Sequence, residues 1–284
     1  MEIKKIAVVG AGVMGTDVAF DLASYGYEVI LKDIDPETLK SAEEKIRKDY
    51  KFYCMMKPDI KKITLEEILE KITFTLDYNG FDGVELVIEN INEDWEQKKS
   101  LYLEMKEHCR EETYYAVNTS CISITKVAAL MPKPDRVIGA HFMNPVPMKP
   151  MVETIRGYHT AEETEKMMVD FLKTLKKTAV VVNDFPGFVS NRVSHLFMNE
   201  AAFLVQDGVA SPKEIDMIFT KGFGHKMGPL ATADLIGLDT VMKSLEVLYE
   251  SYQDPKFRCC PLLKKMVDAG LLGKKTGQGF FTYR

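Results

Sequence analysis

The sequence predicts an α/β protein with a mostly parallel sheet covered by helices, followed by a second domain that is all helical. Up to residue 183, short apolar runs alternate with stretches of helical periodicity, which is typical of repeated βα units. The apolar runs are continuous, so each strand is expected to be buried on both faces of the sheet. From residue 188 onward almost every segment has helical periodicity. The change falls at the sequence "DFPG" and predicts two domains, residues 1–184 and 185–284.

Length and composition agree with two globular domains. The chain has 284 residues, of which 46% are hydrophobic and 28% are charged. A net charge of -5 argues against a general nucleic-acid binder. No window approaches about eighteen consecutive apolar residues, so no membrane span is expected and the protein is predicted to be soluble and cytoplasmic. Five cysteines without C-x-x-C spacing indicate reduced thiols rather than a disulfide framework or a zinc site.

The first elements form a predicted βαβ unit. The β-branched run "KKIAVVG" is followed by "VMGTDVAFDLASYG", which has helical spacing and is closed by Gly26, and then by the buried run "YEVILKD". Asp35 and Pro36 have the pattern of an N-cap and a first helical residue. They predict an amphipathic helix that reaches about residue 52.

Capping boxes and further apolar runs mark the later elements. A serine or threonine followed three residues later by a glutamate predicts a helix start. The three pairs with this spacing are Thr64 with Glu67, Thr160 with Glu163, and Ser211 with Glu214. The remaining predicted strands are "ITFTL", "GVELVIEN", "YYAVNTS", "RVIGAHF", "MVETI" and "TAVVVND".

Three glycines in "GAGVMG" form a G-x-G-x-x-G motif between the first strand and the first helix. In this context Gly10 permits a tight turn, Gly12 lets a pyrophosphate approach the backbone, and Gly15 lets helix and strand pack closely. The helix N-terminus offers free N–H groups and partial positive charge to the same pyrophosphate. A Rossmann-type dinucleotide site is therefore predicted here, with Val13 and Met14 included in it.

A carboxylate completes this motif. Asp33 lies at the end of the second strand, eighteen residues past Gly15, where it can accept hydrogen bonds from a ribose hydroxyl. It would repel the 2′-phosphate of NADP, and Ile34 offers no compensating arginine, so NAD is the predicted cofactor. Lys32 keeps NADP open, and FAD is a minor alternative because it uses the same fingerprint.

The segment "HFMNPVPMKPMVE" places His141 twelve residues before Glu153, with three prolines between them. Each proline fixes its own φ and biases the preceding residue toward extended backbone, so we expect a shaped loop between two strands. His141 and Glu153 lie near its two ends, and the prolines are expected to hold those ends together. Taking a hydride from an alcohol carbon requires a base for the hydroxyl proton, and a histidine oriented by a carboxylate supplies one. Taken alone, such a histidine would more often be structural.

Several motifs, in order over nearly the whole chain, resemble the family of short-chain 3-hydroxyacyl-CoA dehydrogenases, which includes 3-hydroxybutyryl-CoA dehydrogenases. The motifs are "GAGVMG", "NTS", "HFMNPVP", Glu153, "DFPGFVSNR", "MGPL", "DLIGLDT" and "GKKTGQGFFTY". The resemblance implies an NAD-dependent oxidation at C3 of a 3-hydroxyacyl thioester, most simply 3-hydroxyacyl-CoA, or the reverse reduction. It also implies a homodimer that forms through the helical C-terminal domain.

Matched position by position, the resemblance implies roles for particular residues. His141 is similar to the family's catalytic base, and Glu153 to the carboxylate that orients and charges it. Ser120 and Asn191 are similar to the polar pair around the substrate oxygens. The further cofactor contacts that the resemblance implies are Glu93, Lys98, Ser120 and Asn144. Taken alone, Ser120 would be expected to cap the helix that begins near Ser123.

Three alternatives stay open at this point. A basic face on the helix after Pro36 would suit CoA phosphates or an acidic acyl carrier protein, so a dehydrogenase of carrier-bound acyl groups in polyketide extender-unit biosynthesis is the main alternative. A β-hydroxyacid dehydrogenase that relies on a catalytic lysine is disfavoured by the His141 and Glu153 pair. A non-catalytic, crystallin-like relative is disfavoured because Ser120, His141, Glu153 and Asn191 are all present.

Overall fold

A computed structural model of the chain describes residues 3–57, 60 and 63–283. The chain divides into a first unit, residues 1–185, and a second unit, residues 186–284. The strands are β1 Lys5–Val9, β2 Glu28–Lys32, β3 Ile72–Thr75, β4 Leu86–Glu89, β5 Tyr114–Val117, β6 Val137–Phe142, β7 Met151–Arg156 and β8 Thr178–Asn183. The α-helices are α1 Val13–Ser24, α2 Pro36–Met56, α3 Leu65–Glu70, α4 Trp95–Met105, α5 Ile124–Ala128, α6 Glu162–Thr174, α7 Ser190–Gln206, α8 Pro212–Met217, α9 Pro229–Ile236, α10 Leu238–Tyr252 and α11 Pro261–Asp268.

All eight strands belong to one sheet in the first unit, in the order β3-β2-β1-β4-β5-β6-β7-β8. Every neighbouring pair is parallel except β6 with β7. All of β4 and the last four residues of β1 are buried, as expected for continuous apolar runs in a covered sheet. The chain crosses from one side of β1 to the other between β3 and β4, and such a switch opens a crevice beyond the carboxyl ends of the strands. The predicted fold class is confirmed.

Most of the predicted helix starts are formed. Asp35 caps α2 by accepting a hydrogen bond from the Glu37 N–H, and Pro36 is the first helical residue. The capping boxes of Thr64 with Glu67 and of Ser211 with Glu214 are both complete. Helix α2 continues to Met56, one turn past the predicted end.

The predicted capping box of Thr160 with Glu163 is wrong. Helix α6 begins at Glu162, after an Ala161 N-cap whose side chain makes no hydrogen bond. The Thr160 hydroxyl instead donates to the Val137 carbonyl at 2.6 Å and accepts from the Gly157 N–H at 2.9 Å. The Thr160 hydroxyl is therefore bonded to the preceding loop and to strand β6, although the local sequence pattern predicts that it caps the helix.

The second unit carries helices α7 to α11 around its own core. The largest buried members of that core are Met198, Ile215, Leu230, Leu238, Leu245 and Leu263. Asp234 is fully buried in α9 and accepts hydrogen bonds from the Phe280 and Phe281 N–H groups and from the Tyr283 hydroxyl. One carboxylate thus fixes the segment near residue 280 to the helices. Within the described ranges, no helix has both the length and the apolar character needed to cross a bilayer.

Candidate active site

The glycine motif forms the turn that its spacing predicts. Gly10 has φ of 97°, and a Cβ there would lie 2.8 Å from the Asn90 carbonyl, so only glycine fits without strain. Gly12 is the N-cap of α1 and has extended backbone, no side chain caps the helix, and the space beside its Cα is open. Val13 is exposed at the helix start, whereas Met14 packs against the core. The uncapped amides and the open space at Gly12 fit the pyrophosphate of a dinucleotide.

Asp33 lies directly after β2, beside the glycine turn. Its Oδ2 atom accepts a hydrogen bond from the Ala11 N–H at 2.7 Å, and Oδ1 accepts from the N–H groups of Ile34 and Asp35 at 2.7 and 3.1 Å. A cleft of about 800 Å³ opens at this point, which is a common volume for a cofactor pocket. Residues that line it include Gly10, Gly12, Asp33, Ile34, Tyr78 and Asn90. The negative charge is therefore placed where the adenosine half of a dinucleotide would lie.

His141 and Glu153 are cross-strand neighbours. The antiparallel register of β6 and β7 pairs these two residues directly, and the His141 Nδ1 atom lies 3.1 Å from Glu153 Oε2. Both side chains are buried, at 9% and 3% exposure. The irregular segment is only residues 143–150, and its Asn144-Pro145 peptide bond is cis. The expectation that proline stiffness brings the pair together is thus corrected, because the register of two strands does so.

Ser120 lies on the other side of the imidazole. Its Oγ atom is 3.2 Å from His141 Nε2, so a hydroxyl, an imidazole and a carboxylate form one chain of contacts. The helix cap that Ser120 alone would suggest is formed by Ser123, whose hydroxyl accepts from the Lys126 N–H. Ser120 therefore contacts His141, and Ser123 caps the helix.

Glu93 holds the loop that carries Ser120. Its Oε1 atom accepts hydrogen bonds from the Ser120 and Cys121 N–H groups at 2.9 and 2.7 Å and from the Thr119 hydroxyl at 2.6 Å. With the Ile122 N–H at 3.3 Å, four donors share one carboxylate oxygen and fix the backbone of this loop. Glu93 is partly exposed, at 37% of its side chain, so it can still present its other oxygen to a ligand.

Lys98 is fully buried beneath this loop. Its ammonium lies 2.6 Å from Glu89, 3.4 Å from the carbonyls of Ile91 and Asn118, and 4.0 Å from Glu93. Burial raises the pKa of the Glu89 carboxyl, and the Lys98 charge opposes that shift. The prediction that Lys98 contacts the cofactor stays a prediction, and its ammonium lies against the loops that follow β4 and β5. It supports the loops from below.

The two asparagines predicted from the resemblance lie in different units. Asn144 is exposed in the segment that follows β6. Asn191 lies in the first turn of α7, where its backbone carbonyl accepts a hydrogen bond from His195 Nδ1 at 2.9 Å. Burial lowers the pKa of His195, and the bond to the carbonyl opposes that effect.

Asn118 is a site residue that the sequence reasoning missed. Its Oδ1 atom accepts from the Phe142 N–H at 3.1 Å, and its Nδ2 atom donates to Asn90 Oδ1 at 2.7 Å. It therefore ties the ends of three neighbouring strands, β4, β5 and β6, together beside His141. A signal was present, because Asn90 and Asn118 each follow an apolar strand directly, at the edge where α/β enzymes place functional groups.

The glycine turn, the acidic residue after β2 and the Ser120, His141 and Glu153 chain define an NAD-dependent oxidoreductase with a helical second domain. The 3-hydroxyacyl-CoA dehydrogenase family matches in two parts, its NAD binding domain over residues 5–185 and its C-terminal domain over residues 187–283. The chain belongs to this family, which confirms the resemblance and NAD as the cofactor.

Whole-chain relatives agree with this assignment. The probable 3-hydroxybutyryl-CoA dehydrogenase of Bacillus subtilis is 42% identical, and the match covers 100% of this chain and 98% of that protein. The 3-hydroxybutyryl-CoA dehydrogenase of Clostridioides difficile is 40% identical over 98% of this chain and 99% of its own length. The solved (S)-3-hydroxybutyryl-CoA dehydrogenase of Ralstonia eutropha is 37% identical, with a TM-score of 0.94 and full coverage of both chains.

Proposed function

We propose that this NAD-dependent enzyme interconverts short (S)-3-hydroxyacyl-CoA and 3-oxoacyl-CoA thioesters, with His141 as the acid-base residue. The observation that carries the proposal is the continuous chain from Ser120 through His141 to Glu153 at the edge of the sheet where the glycine turn lies. The C4 substrate and its (S) configuration follow the names of the Bacillus and Ralstonia relatives.

The contacts of His141 suit it for proton transfer. A carboxylate at Nδ1 favours the tautomer in which that nitrogen carries the proton, which leaves the lone pair of Nε2 directed at Ser120. In the oxidation, Nε2 accepts the proton of the C3 hydroxyl as the C3–O bond becomes a carbonyl, and Glu153 stabilises the imidazolium that forms. NAD, when bound, would supply the acceptor for the hydride that leaves C3. Ser120 would donate its hydroxyl proton to the same substrate oxygen.

The cofactor contacts proposed here follow the geometry of the first unit. The amides at the start of α1 and the open space at Gly12 would hold the pyrophosphate, and Asp33 would bind the adenosine ribose. Glu93, Ser120 and Asn144 would bind at the nicotinamide end, with the buried Lys98 holding Glu93 and its loop in place. The resemblance also supports Asn191 as a polar contact to the thioester.

A panel of thioesters tests the proposal. Acetoacetyl-CoA with NADH should be turned over with a clear preference for NADH over NADPH, followed as loss of NADH absorbance. His141→Gln should lower kcat by about 10²- to 10⁴-fold, while the dissociation constant for NADH stays near that of the wild type. His159→Gln, on an exposed histidine outside the site, is the matched control and should leave kcat unchanged. Equal kcat in the His141 and His159 variants would refute the assignment.

The carrier-protein alternative has one supporting observation. Helix α2 presents several exposed cations, namely Lys40, Arg47, Lys48 and Lys51, and these would suit an acidic carrier protein as well as CoA phosphates. Turnover of an acetoacetyl group on acyl carrier protein, with none on CoA, would select this alternative.

We further propose that the enzyme is a homodimer formed by its second unit. That unit exposes large apolar side chains on its helices and on the segments between them, including Val193, Val209, Met217, Ile218 and Phe223. Exposed apolar groups in this number are typical of an association surface. Light scattering on the purified protein should give twice the chain mass, and a monomer mass would refute the proposal. The cytoplasmic location predicted from the sequence stays a prediction.

A further inference from the structure

Helix α1 carries two buried carboxylates that the proposed chemistry does not use. Asp17 and Asp21 are one helical turn apart and only 2% and 1% exposed. Carboxylates at such depth are stable only with compensating charges or hydrogen bonds. Because α1 begins at the glycine turn, residues that bind Asp17 or Asp21 are connected to the cofactor site by this helix.

Asp17 is compensated by two groups of helix α2, the Lys45 ammonium at 2.5 Å and the Tyr53 hydroxyl at 3.3 Å. Burial raises the pKa of Asp17, and these partners lower it. Helix α1 also packs against the short 3₁₀ turn Val146–Met148. That turn belongs to residues 143–150, the loop between the strand of His141 and the strand of Glu153.

Lys177 binds two backbone carbonyls of the same loop. It is 3% exposed, and its ammonium donates to the Val146 carbonyl at 2.7 Å and to the Lys149 carbonyl at 2.9 Å. Its charge is matched by Asp21, with the Lys177 ammonium 2.9 Å from Oδ2 as an ion pair. Asp21 has a second cation, Lys57, at 3.4 Å, and Lys57 makes no contact with the loop among the described hydrogen bonds.

The loop needs these external partners because of its prolines. Pro145, Pro147 and Pro150 have no N–H to donate, so the loop cannot satisfy its own carbonyls by regular backbone pairing. Apart from one short 3₁₀ turn at Val146–Met148, its backbone is irregular. The Val146 carbonyl is therefore held from α1 through Lys177, whose charge is matched by Asp21.

We propose that Asp21 and Lys177 are positioning residues that lock the 143–150 loop to helix α1 and so keep the ends of β6 and β7 in place. This proposal rests on the proposed roles of His141 and Glu153. The bonds from Lys177 to the Val146 and Lys149 carbonyls fix the loop between β6 and β7, so they support the strand register that pairs the imidazole with its carboxylate. Loss of the lock should lower kcat and leave substrate and cofactor affinity nearly intact.

The test compares two lysines that share one carboxylate. Lys177→Met and Lys57→Met each remove a cation from Asp21, but only the first removes the donors to the loop carbonyls. Lys177→Met should lower kcat by about 10- to 100-fold, as expected for an ångström-scale displacement of catalytic groups. Its KM for acetoacetyl-CoA and its dissociation constant for NADH should stay within about threefold, while Lys57→Met keeps kcat within about twofold. Equal kcat in the two variants would overturn the proposal.

A double variant separates positioning from stability. Lys177→Met leaves Asp21 with less compensation, so its Tm should fall, and adding Asp21→Asn removes the uncompensated charge. The double variant should recover most of the lost Tm but none of the lost kcat, because the loop carbonyls still lack their donor. Recovery of kcat together with Tm would show that the lysine acts only through stability.

Hydrogen exchange gives a readout that needs no activity. Peptides that cover residues 143–150 should exchange faster in the double variant than in the wild type or Lys57→Met, with β6 itself unchanged. If the wild type fails to reduce acetoacetyl-CoA, the proposed function fails, but this comparison still tests the lock. Unchanged exchange in the loop would overturn it.

Discussion

Replacement of Glu153 by glutamine is the sharpest test of how the site works. The side chain keeps nearly the same shape, but the negative charge 3.1 Å from His141 Nδ1 is removed. At an effective dielectric constant of about 20, two unit charges at 3.1 Å attract by about 5 kcal/mol. Glutamine still accepts a hydrogen bond and costs less to bury, so the net loss is that of one charged hydrogen bond, about 1.5–3 kcal/mol. Because the charge acts on the imidazolium, kcat should fall by about 10- to 150-fold.

The neighbouring residue provides the control for this variant. Thr154 is on the same strand but points to the other face of the sheet, where its buried hydroxyl has no hydrogen-bond partner among the described residues. Thr154→Val removes that hydroxyl at constant shape, so kcat should stay within about twofold and Tm should hold or rise. NADH absorbance with saturating acetoacetyl-CoA measures kcat for both variants. If Glu153→Gln stays within about twofold of the wild type, the charge does not assist the histidine and the reasoning is refuted.

Three further predictions concern the cofactor site, the buried lysine and the second unit. Asp33→Ser should raise the KM for NADH by about tenfold and reduce the preference for NADH over NADPH, because it removes the charge that repels a 2′-phosphate. An unchanged ratio of the initial rates with NADH and NADPH would contradict this prediction. Lys98→Met should lower the free energy of unfolding by about 3–5 kcal/mol in urea titrations, since Glu89 is left as an uncompensated buried charge. The double variant Lys98→Met with Glu89→Gln should lose less stability than Lys98→Met alone. Burial lowers the pKa of His195, so as the pH falls this histidine is protonated in the unfolded chain before it is protonated in the folded one. The free energy of unfolding should therefore fall below about pH 6.5, by up to about 1.4 kcal/mol per pH unit. His195→Gln should flatten that slope in urea titrations at a series of pH values, and an equal slope would contradict the assignment.

Features set by local geometry were predictable from the sequence. The glycine turn depends on φ at Gly10, and the caps at Asp35, Thr64 and Ser211 depend on bonds within one helical turn. Thr160 has an equally good local pattern, but its hydroxyl donates to the carbonyl of Val137, 23 residues away in the sequence. Local patterns therefore fail where a distant group competes for the same atom.

Non-local partners could not be read from the sequence. Asp17 and Asp21 have the spacing of polar residues on a solvated helix face, yet both are buried, because Lys45 comes from α2 and Lys177 from the position just before β8. The burial of Lys98 in α4 depends on a glutamate at the end of strand β4. Charge pairing of this kind is a property of the packed elements, and no periodicity records it.

The single antiparallel pair in the sheet explains how His141 acquires its carboxylate. In a fully parallel sheet, residues near the start of β7 would lie at the edge opposite the site, far from the end of β6. Reversal of β7 brings its start to the carboxyl edge, and the direct pairing puts His141 and Glu153 on one face. A slip of one residue would turn Glu153 to the other face, so the activity depends on the register. A loop of eight residues outside the sheet could absorb such a slip unless it were held by other elements. Lys177, paired with Asp21 of helix α1, binds the Val146 and Lys149 carbonyls of this loop, which is why we place the control of the site in helix α1 as well as in the strands.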